Sequence, residues 1–315
     1  MTSFNSIVIL GPTASGKTRL AAHLAFKLQG AVLSFDSRQV YKQLTIGTGK
    51  DLAEFNIHGS IVPSYLIDVC DINTNFHSYE FVKNYIAAFE NCMKSKQIPV
   101  LCGGTGLYLD LALKKHQYIS IPINETLRIE CESLPDETLI NTLNSFATAY
   151  TKQVDRSTRK RMVRAIEIAD YLTHDVHEKI PYPELKPIIF GMKLSPTERK
   201  LKINQRLEER LTSGLIEEVE HLLEGGISKE RLIFLGLEYK FVTEFVTGKY
   251  DKSTMVKNLQ IAIQQYAKRQ MTWFRKMERE GNKIHWIDGN LNVEAQMDII
   301  YSVLKGCSCL LSEAL

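Results

Sequence analysis

Along the first hundred residues, short apolar runs alternate with longer stretches in which apolar residues recur at helical spacing. The short runs lie at 7–10, 31–35, 65–69 and 98–102, and their brevity and richness in Ile, Val and Leu predict strands. Residues 19–28 and 78–96 follow the longer period and predict helices. Strand and helix in alternation predict a parallel sheet flanked by helices, since a parallel return needs a crossover. In such open sheets ligands gather at the carboxyl ends of the strands. The residues that close the runs are therefore the first candidates for chemistry: Gly11 after the first, Asp36 after the second and Gly103 to Gly106 after the fourth.

The pattern changes near residue 114. Strand signals vanish and short helical pieces take over until Pro181, Pro183 and Pro187 punctuate the chain. Residues 114–187 therefore predict a small all-helical lobe inserted into an α/β core made of 1–113 and 188–315. Residues 188–194 predict a returning strand, and Pro196 suits the first turn of the helix that follows. Further helices run to about 279, with a last strand at 284–287 and a C-terminal helix. No repeat or low-complexity tract interrupts this order.

Composition changes the picture little. The 39 Lys and Arg nearly balance the 36 Asp and Glu, so a net charge of +3 does not by itself announce a nucleic-acid binder. No apolar run reaches membrane-spanning length, and the first strand begins almost at the N-terminus, so a cytoplasmic protein is expected. Cys70, Cys92, Cys102 and Cys131 stand alone, and Cys307 and Cys309 close the chain without a C-x-x-C pair, which predicts reduced thiols. His174 and His177 lack partners for a zinc site.

Local charge is more informative. Lys152, Arg156, Arg159, Lys160, Arg161 and Arg164 crowd one stretch of the lobe, with Asp155 the single acid among them. Arg156, Lys160 and Arg164 at spacings of four predict one positive helical face, with Met162, Ile166 and Ala169 on the packed face. A single sign of charge favours a phosphate-contacting surface over a merely solvated one. Arg199, Lys202, Arg206 and Arg210 form a second stripe, which Glu198, Glu208 and Glu209 can partly neutralise. In a third cluster, Lys268, Arg269 and Arg275 flank an apolar stripe of Met255, Leu259, Ala262, Tyr266, Trp273 and Met277, so Trp273 is expected in the core.

The sharpest motif is Gly11, Pro12, Thr13, Ala14, Ser15, Gly16, Lys17 and Thr18, a G-x-x-x-x-G-K-[ST] phosphate loop between strand and helix. Its glycines let backbone N–H groups and the helix N-terminus face a polyphosphate. Lys17 adds a point charge, and Thr18 offers a hydroxyl to a phosphate-bound Mg²⁺. The loop specifies polyphosphate without specifying a nucleotide. A kinase or ATPase is the default for such a loop, yet the strand-end segment from Asp36 to Tyr41, followed by 46–50, is denser in polar groups than a single metal ligand requires.

These motifs together resemble the tRNA dimethylallyltransferase (tRNA isopentenyltransferase) family. Its marks are G-P-T-[AG]-S-G-K-[ST], here 11–18; D-S-x-Q-x-Y and I-G-T-A-K, here 36–41 and 46–50; G-G-T-G-L-Y, here 103–108; R-x-x-R-A-[LI]-E, here 161–167; and A-K-R-Q-x-T-W-[FL]-R, here 267–275. Five separated marks in one order span nearly the whole chain. No zinc finger follows residue 290, so the likeness is to the short bacterial form. The chain departs at Gly49, where alanine is usual, a change that looks trivial. It departs also at Ser64 and Tyr65, where two histidines are common, and over Gly236, Leu237, Glu238, Tyr239 and Lys240 in place of a G-Y-K-E-like segment.

The resemblance implies transfer of a dimethylallyl group from dimethylallyl diphosphate to N6 of the adenosine 3′ to the anticodon of tRNA, with Mg²⁺ as cofactor and a monomer as the working form. By the same resemblance Asp36 is the base, and Lys17, Thr18 and Arg210 serve the diphosphate. Asp36, Ser37, Arg38, Gln39 and Thr105 surround the flipped adenosine, while Arg128 and Lys160, Arg161, Met162, Val163 and Arg164 hold the anticodon stem. The related enzymes that prenylate free AMP remain the alternative, as does a phosphate-loop kinase. The positive lobe separates them, because a small substrate has no need of it.

Overall fold

Residues Ser6–Leu10 (β1) are buried at every position, as expected of a strand covered on both faces. Ala31–Phe35 (β2), Ser64–Tyr65 (β3), Pro99–Gly103 (β4), Pro187–Lys193 (β5) and Ile284–Asp288 (β6) complete a six-stranded, wholly parallel sheet in the order β3-β2-β4-β1-β5-β6. This is a computed structural model, and it describes residues 2–146, 150–175 and 177–309. Lys17–Lys27 (α1) buries Leu20, Ala21 and Leu24. Ser78–Lys94 (α2) and Gly106–Lys114 (α3) follow β3 and β4. Because all strands run the same way, the phosphate loop, Asp36 and Gly103 leave the sheet at one edge.

The third predicted strand is cut short. Only Ser64–Tyr65 pairs with β2, because Leu66 and Asp68 take positive φ values of 66° and 56°, incompatible with a straight strand. The turn brings the Asp68 carboxylate onto the buried Lys50 ammonium, which also donates to the carbonyl of Tyr41 at 2.6 Å. Another strand pair was not anticipated. Thr2–Phe4 pairs in parallel with Cys307–Cys309, which gives the cysteine-bearing tail a place in the fold. Cys70, Cys92, Cys102, Cys131 and Cys307 are free thiols, whereas the Cys309 side chain lies outside the described part.

After β5 the core continues through Pro196–Thr212 (α7), Leu215–Glu224 (α8), Lys229–Leu235 (α9), Leu237–Val246 (α10), Lys252–Arg279 (α11) and Val293–Leu304 (α12). Ser195 and Glu198 form a reciprocal capping box around Pro196, which fixes where α7 starts. A second apolar core joins Val40, Tyr41 and Leu44 to Ile203, Leu207, Tyr239 and Leu259, so the loop after β2 is packed against α7, α10 and α11.

The chain forms two compact units, Met1–Lys114 with Pro183–Leu315, and Lys115–Tyr182. The return to the core comes earlier than residue 188 because the Asn5 side chain binds the Glu184 carbonyl at 2.6 Å and accepts from Lys186 N–H at 2.8 Å. The smaller unit has Glu125–Glu132 (α4), Asp136–Ser145 (α5) and Arg159–His174 (α6), with no strand among its described residues. Leu139, Leu143, Met162, Ile166 and Ala169 form its core. Beside them the Glu167 carboxylate, fully enclosed, accepts from Asn124 N–H at 2.9 Å, from both Nε and Nη2 of Arg128 at 2.8 and 3.1 Å, and from Arg164 at 3.3 Å.

Candidate active site

The phosphate loop owes its shape to two left-handed residues, Ala14 at φ 60° and Gly16 at φ 79°. Gly16 is the N-cap of α1 and provides no side-chain cap, which leaves the first N–H groups of the helix free to face an anion. Ser15 Oγ is buried with no hydrogen-bond partner among the described residues, a donor awaiting an acceptor. Lys17 Nζ reaches back to the Pro12 carbonyl at 3.4 Å, and burial pulls its pKa below the ordinary lysine value. A lysine in that state gains strongly from a bound anion.

Lys17 and Thr18 open onto one cavity together with Asp36, Arg38, Gln39, Arg206 and Arg210, while Val32, Phe55, Cys102, Leu237 and Ile263 give it an apolar wall. A second opening beside it is lined by Ala14, Ser15 and Gly16 of the loop and by Asp51, Glu54 and Arg206. The site thus joins an anion grip to an apolar surface. Asp36 Oδ1 accepts from Arg38 N–H at 2.8 Å, which fixes the carboxylate at the end of β2. Thr105 Oγ1 accepts from Ser37 N–H at 3.2 Å, tying the loop after β4 to the loop after β2. Gln39 spends its side chain internally: Oε1 accepts from Ser34 Oγ at 2.8 Å, and Nε2 donates to the Gly49 carbonyl at 3.0 Å.

Arg210 lies where the stripe on α7 meets the loop after β2, donating to the Gly47 carbonyl at 3.2 Å and to Glu238 at 2.6 Å. Arg206 pairs with Asp51 at 2.5 Å. The departure at Gly49 is not trivial: Gly49 has φ 57°, and a Cβ there would stand 1.9 Å from Arg210 Nη2 and 2.4 Å from Arg206 Nη2. Two guanidinium groups occupy the volume that an alanine methyl would need.

Several residues of the site carried no individual role in the sequence. Gln270 on α11 binds both the phosphate loop and the glycine turn, accepting from Thr13 N–H at 2.9 Å and donating to the Gly104 carbonyl at 3.0 Å. Its signal was its place inside the A-K-R-Q motif. Tyr266, expected in the apolar stripe, instead lines the cavity, where burial first and the nearby Asp36 carboxylate second push its phenol pKa upward. Glu218 on α8 accepts from the N–H groups of Thr45, Ile46 and Gly47 at 3.1, 2.7 and 3.2 Å, and nothing in its local sequence marks it. Trp273, expected in the core, is only half-buried, with its ring packed over Gly106.

In the lobe, the expected positive helical face is only partly present. Arg156 precedes the Thr158 cap of α6 and is not on the helix with Lys160 and Arg164. Arg164 turns inward to the carbonyls of Ile121 and Pro122 at 2.6 and 3.1 Å, and Arg128 is committed to Glu167. Met162 is buried in the lobe core, and Arg161 pairs with Asp155 at 2.7 Å. Lys160 and Arg156 are exposed, and Val163 is half-buried. Arg128, Met162 and Arg164 thus build the lobe with the same side chains that the resemblance assigns to RNA. Among the described residues no group of three or more His, Cys, Asp and Glu side chains is placed to hold a metal ion.

A parallel sheet whose central strand feeds a phosphate loop, facing a carboxylate across an apolar-walled cavity, defines a phosphate-loop group-transfer protein. Residues 39–277 match the profile of the IPP transferase family, and the chain belongs to that family. It is 43% identical over 307 residues to a tRNA dimethylallyltransferase 2 of Phocaeicola vulgatus, a likeness covering 96% of this chain and 99% of the relative. Two solved structures are similar at 29% identity. The tRNA isopentenylpyrophosphate transferase of Bacillus halodurans gives a TM-score of 0.69 with 96% of each chain covered. That of Staphylococcus epidermidis gives 0.65, covering 95% of this chain and 98% of the other.

Proposed function

We propose that this protein transfers a dimethylallyl group from dimethylallyl diphosphate to N6 of the adenosine 3′ to the anticodon of tRNA, releasing diphosphate. The observation that carries the reading is the shared cavity of Lys17, Thr18 and Asp36. An anion grip and a base line one partly open cavity that also has an apolar wall for a five-carbon group. Its relatives' names point the same way.

The bond between the allylic carbon and the diphosphate oxygen breaks as the N6–C bond forms. Charge then grows on the departing diphosphate, which the free N–H groups of α1, Lys17 and Arg210 stabilise more strongly than they do the neutral ester oxygen of the donor. Adenine N6 is a weak nucleophile because its lone pair is delocalised into the ring. Asp36 accepts its proton as the new bond forms, leaving N6 a neutral secondary amine. The base must leave its stack to reach Asp36, as for other enzymes that act on bases. Thr18 supplies a hard hydroxyl oxygen that would hold a phosphate-bound Mg²⁺, leaving the Asp36 carboxylate free to act as base. Bound there, Mg²⁺ would supply charge neutralisation for the diphosphate.

No described helix is long and apolar enough to cross a membrane. A monomer working in the cytoplasm is the proposed form. The test is incubation of purified protein with Mg²⁺, dimethylallyl diphosphate and unmodified tRNA, with nucleoside mass analysis. A dimethylallyl mass gain on that adenosine is expected, and no gain alongside an active relative as control would overturn the proposal.

A further inference from the structure

Residues 236–240, which depart from the motif quoted above, bring Glu238 to the arginine proposed to serve the diphosphate. Glu238 Oε1 accepts from Arg210 Nη1 at 2.6 Å, and the two side chains are only 11% and 12% exposed. Glu238 lines the same cavity as Lys17 and Thr18. A carboxylate in the wall of an anion site opposes anion binding directly, and here it also partly neutralises a cation of that site.

The neighbouring loop does not need Glu238 to hold its shape. Glu218 accepts the N–H groups of Thr45, Ile46 and Gly47, and the Tyr239 hydroxyl donates to the same carboxylate at 2.6 Å. The loop is thus fastened from α8 and α10 independently, leaving Glu238 to act on Arg210. An enzyme that must release diphosphate after each turnover gains from such a counterweight, since too tight a grip retains the product.

We propose that Glu238 is a positioning residue that competes with diphosphate for Arg210, holding the guanidinium between turnovers and easing release of the product. The inference rests on the prenyl-transfer reading above. In a competition of this kind, apparent affinity is reduced by the fraction of protein in which Arg210 is engaged elsewhere.

Calorimetric titration of the full chain with Mg²⁺ and inorganic pyrophosphate tests it, using wild type, Glu238→Gln, Arg210→Ala and the double variant. Glu238→Gln keeps a hydrogen-bond acceptor but removes the charge, and is expected to bind pyrophosphate about tenfold more tightly. Product inhibition by pyrophosphate should strengthen in parallel. In the Arg210→Ala background only the direct repulsion is left to relieve, so the same change should give a much smaller gain, an outcome that a purely structural role for Glu238 would not produce. If Glu238→Gln folds poorly, Glu238→Ala serves instead and should shift affinity in the same direction. Unchanged or weaker binding, or a gain that is undiminished by loss of Arg210, overturns the inference while leaving prenyl transfer intact. A wild-type protein that neither binds pyrophosphate nor modifies tRNA overturns both.

Discussion

Gln270 Oε1 accepts a hydrogen bond from the Thr13 backbone N–H at 2.9 Å, across 257 residues of chain, while its Nε2 donates to the Gly104 carbonyl at 3.0 Å. One buried amide therefore fastens the phosphate loop and the glycine turn to α11. Only a side chain with both a donor and an acceptor at its tip can do this. Gln270→Ala should lower stability by about 1–3 kcal/mol, because two buried backbone groups lose partners. Gln270→Glu should be no better, since a carboxylate would face the Gly104 carbonyl. Thermal melts together with kcat/KM check both; full activity in either variant would remove the clamp from the mechanism.

Asp36 is held by Arg38 N–H at the end of β2, and the base role proposed for it is distinct from substrate capture. Asp36→Ala should keep tRNA affinity near wild type and lower turnover by roughly 10²–10⁴-fold, the usual contribution of general base catalysis. Filter binding and single-turnover rates separate the two effects. Unchanged turnover would take Asp36 out of the base role.

Arg156 and Lys160 are exposed, whereas Arg164 and Arg128 hold the lobe through Glu167. Arg156→Glu with Lys160→Glu should therefore weaken tRNA binding and flatten its salt dependence while leaving pyrophosphate binding unchanged. Should AMP also react, its use should be spared. Glu167→Ala should act differently, destabilising the lobe by about 1–3 kcal/mol because Asn124 N–H and two partly exposed guanidinium groups lose their buried acceptor. Limited proteolysis of the lobe, read beside tRNA affinity, distinguishes a contact residue from a builder.

Glu54 gives the site a pH signature. Burial, and then the neighbouring Asp51 carboxylate, raise its pKa from 4.5 to about 7. Between these values the folded protein holds a proton that the unfolded chain has released, so stability is greatest below about pH 4.5 in this respect and is lost as pH rises through about 7. The loss attributable to Glu54 should be on the order of 2 kcal/mol, allowing for its partial exposure. Denaturant titrations of wild type and Glu54→Gln at pH 5 and pH 8 should show the difference between the two proteins changing by that amount, and parallel curves would exclude it.

Much of the fold was legible because its signals are local. Alternating apolar runs marked the sheet and its helices, and strand ends placed Gly11, Asp36 and Gly103 together by a general property of parallel sheets. The phosphate loop needs only its own residues and the helix behind it. The third strand was misjudged because left-handed residues at Leu66 and Asp68 break it, and an apolar run does not reveal a backbone dihedral. The positive lobe face was overdrawn for a related reason: spacing fixes which direction a residue faces only once the helix start is known, and Thr158 starts α6 after Arg156.

Sequence alone determined that this chain carries a phosphate-loop motif, places a carboxylate at the carboxyl end of another strand and belongs with the tRNA prenyltransferases, since each of those rests on short local motifs. Tertiary structure alone decided which distant groups serve the grip. Gln270 reaches Thr13, Glu238 reaches Arg210, two arginine side chains end beside Gly49, and Glu218 binds three N–H groups from a loop 171 to 173 residues away. Hydrogen bonds and charge pairs of this kind depend on separate elements being placed to within a fraction of an ångström, and no periodicity in a chain encodes that placement.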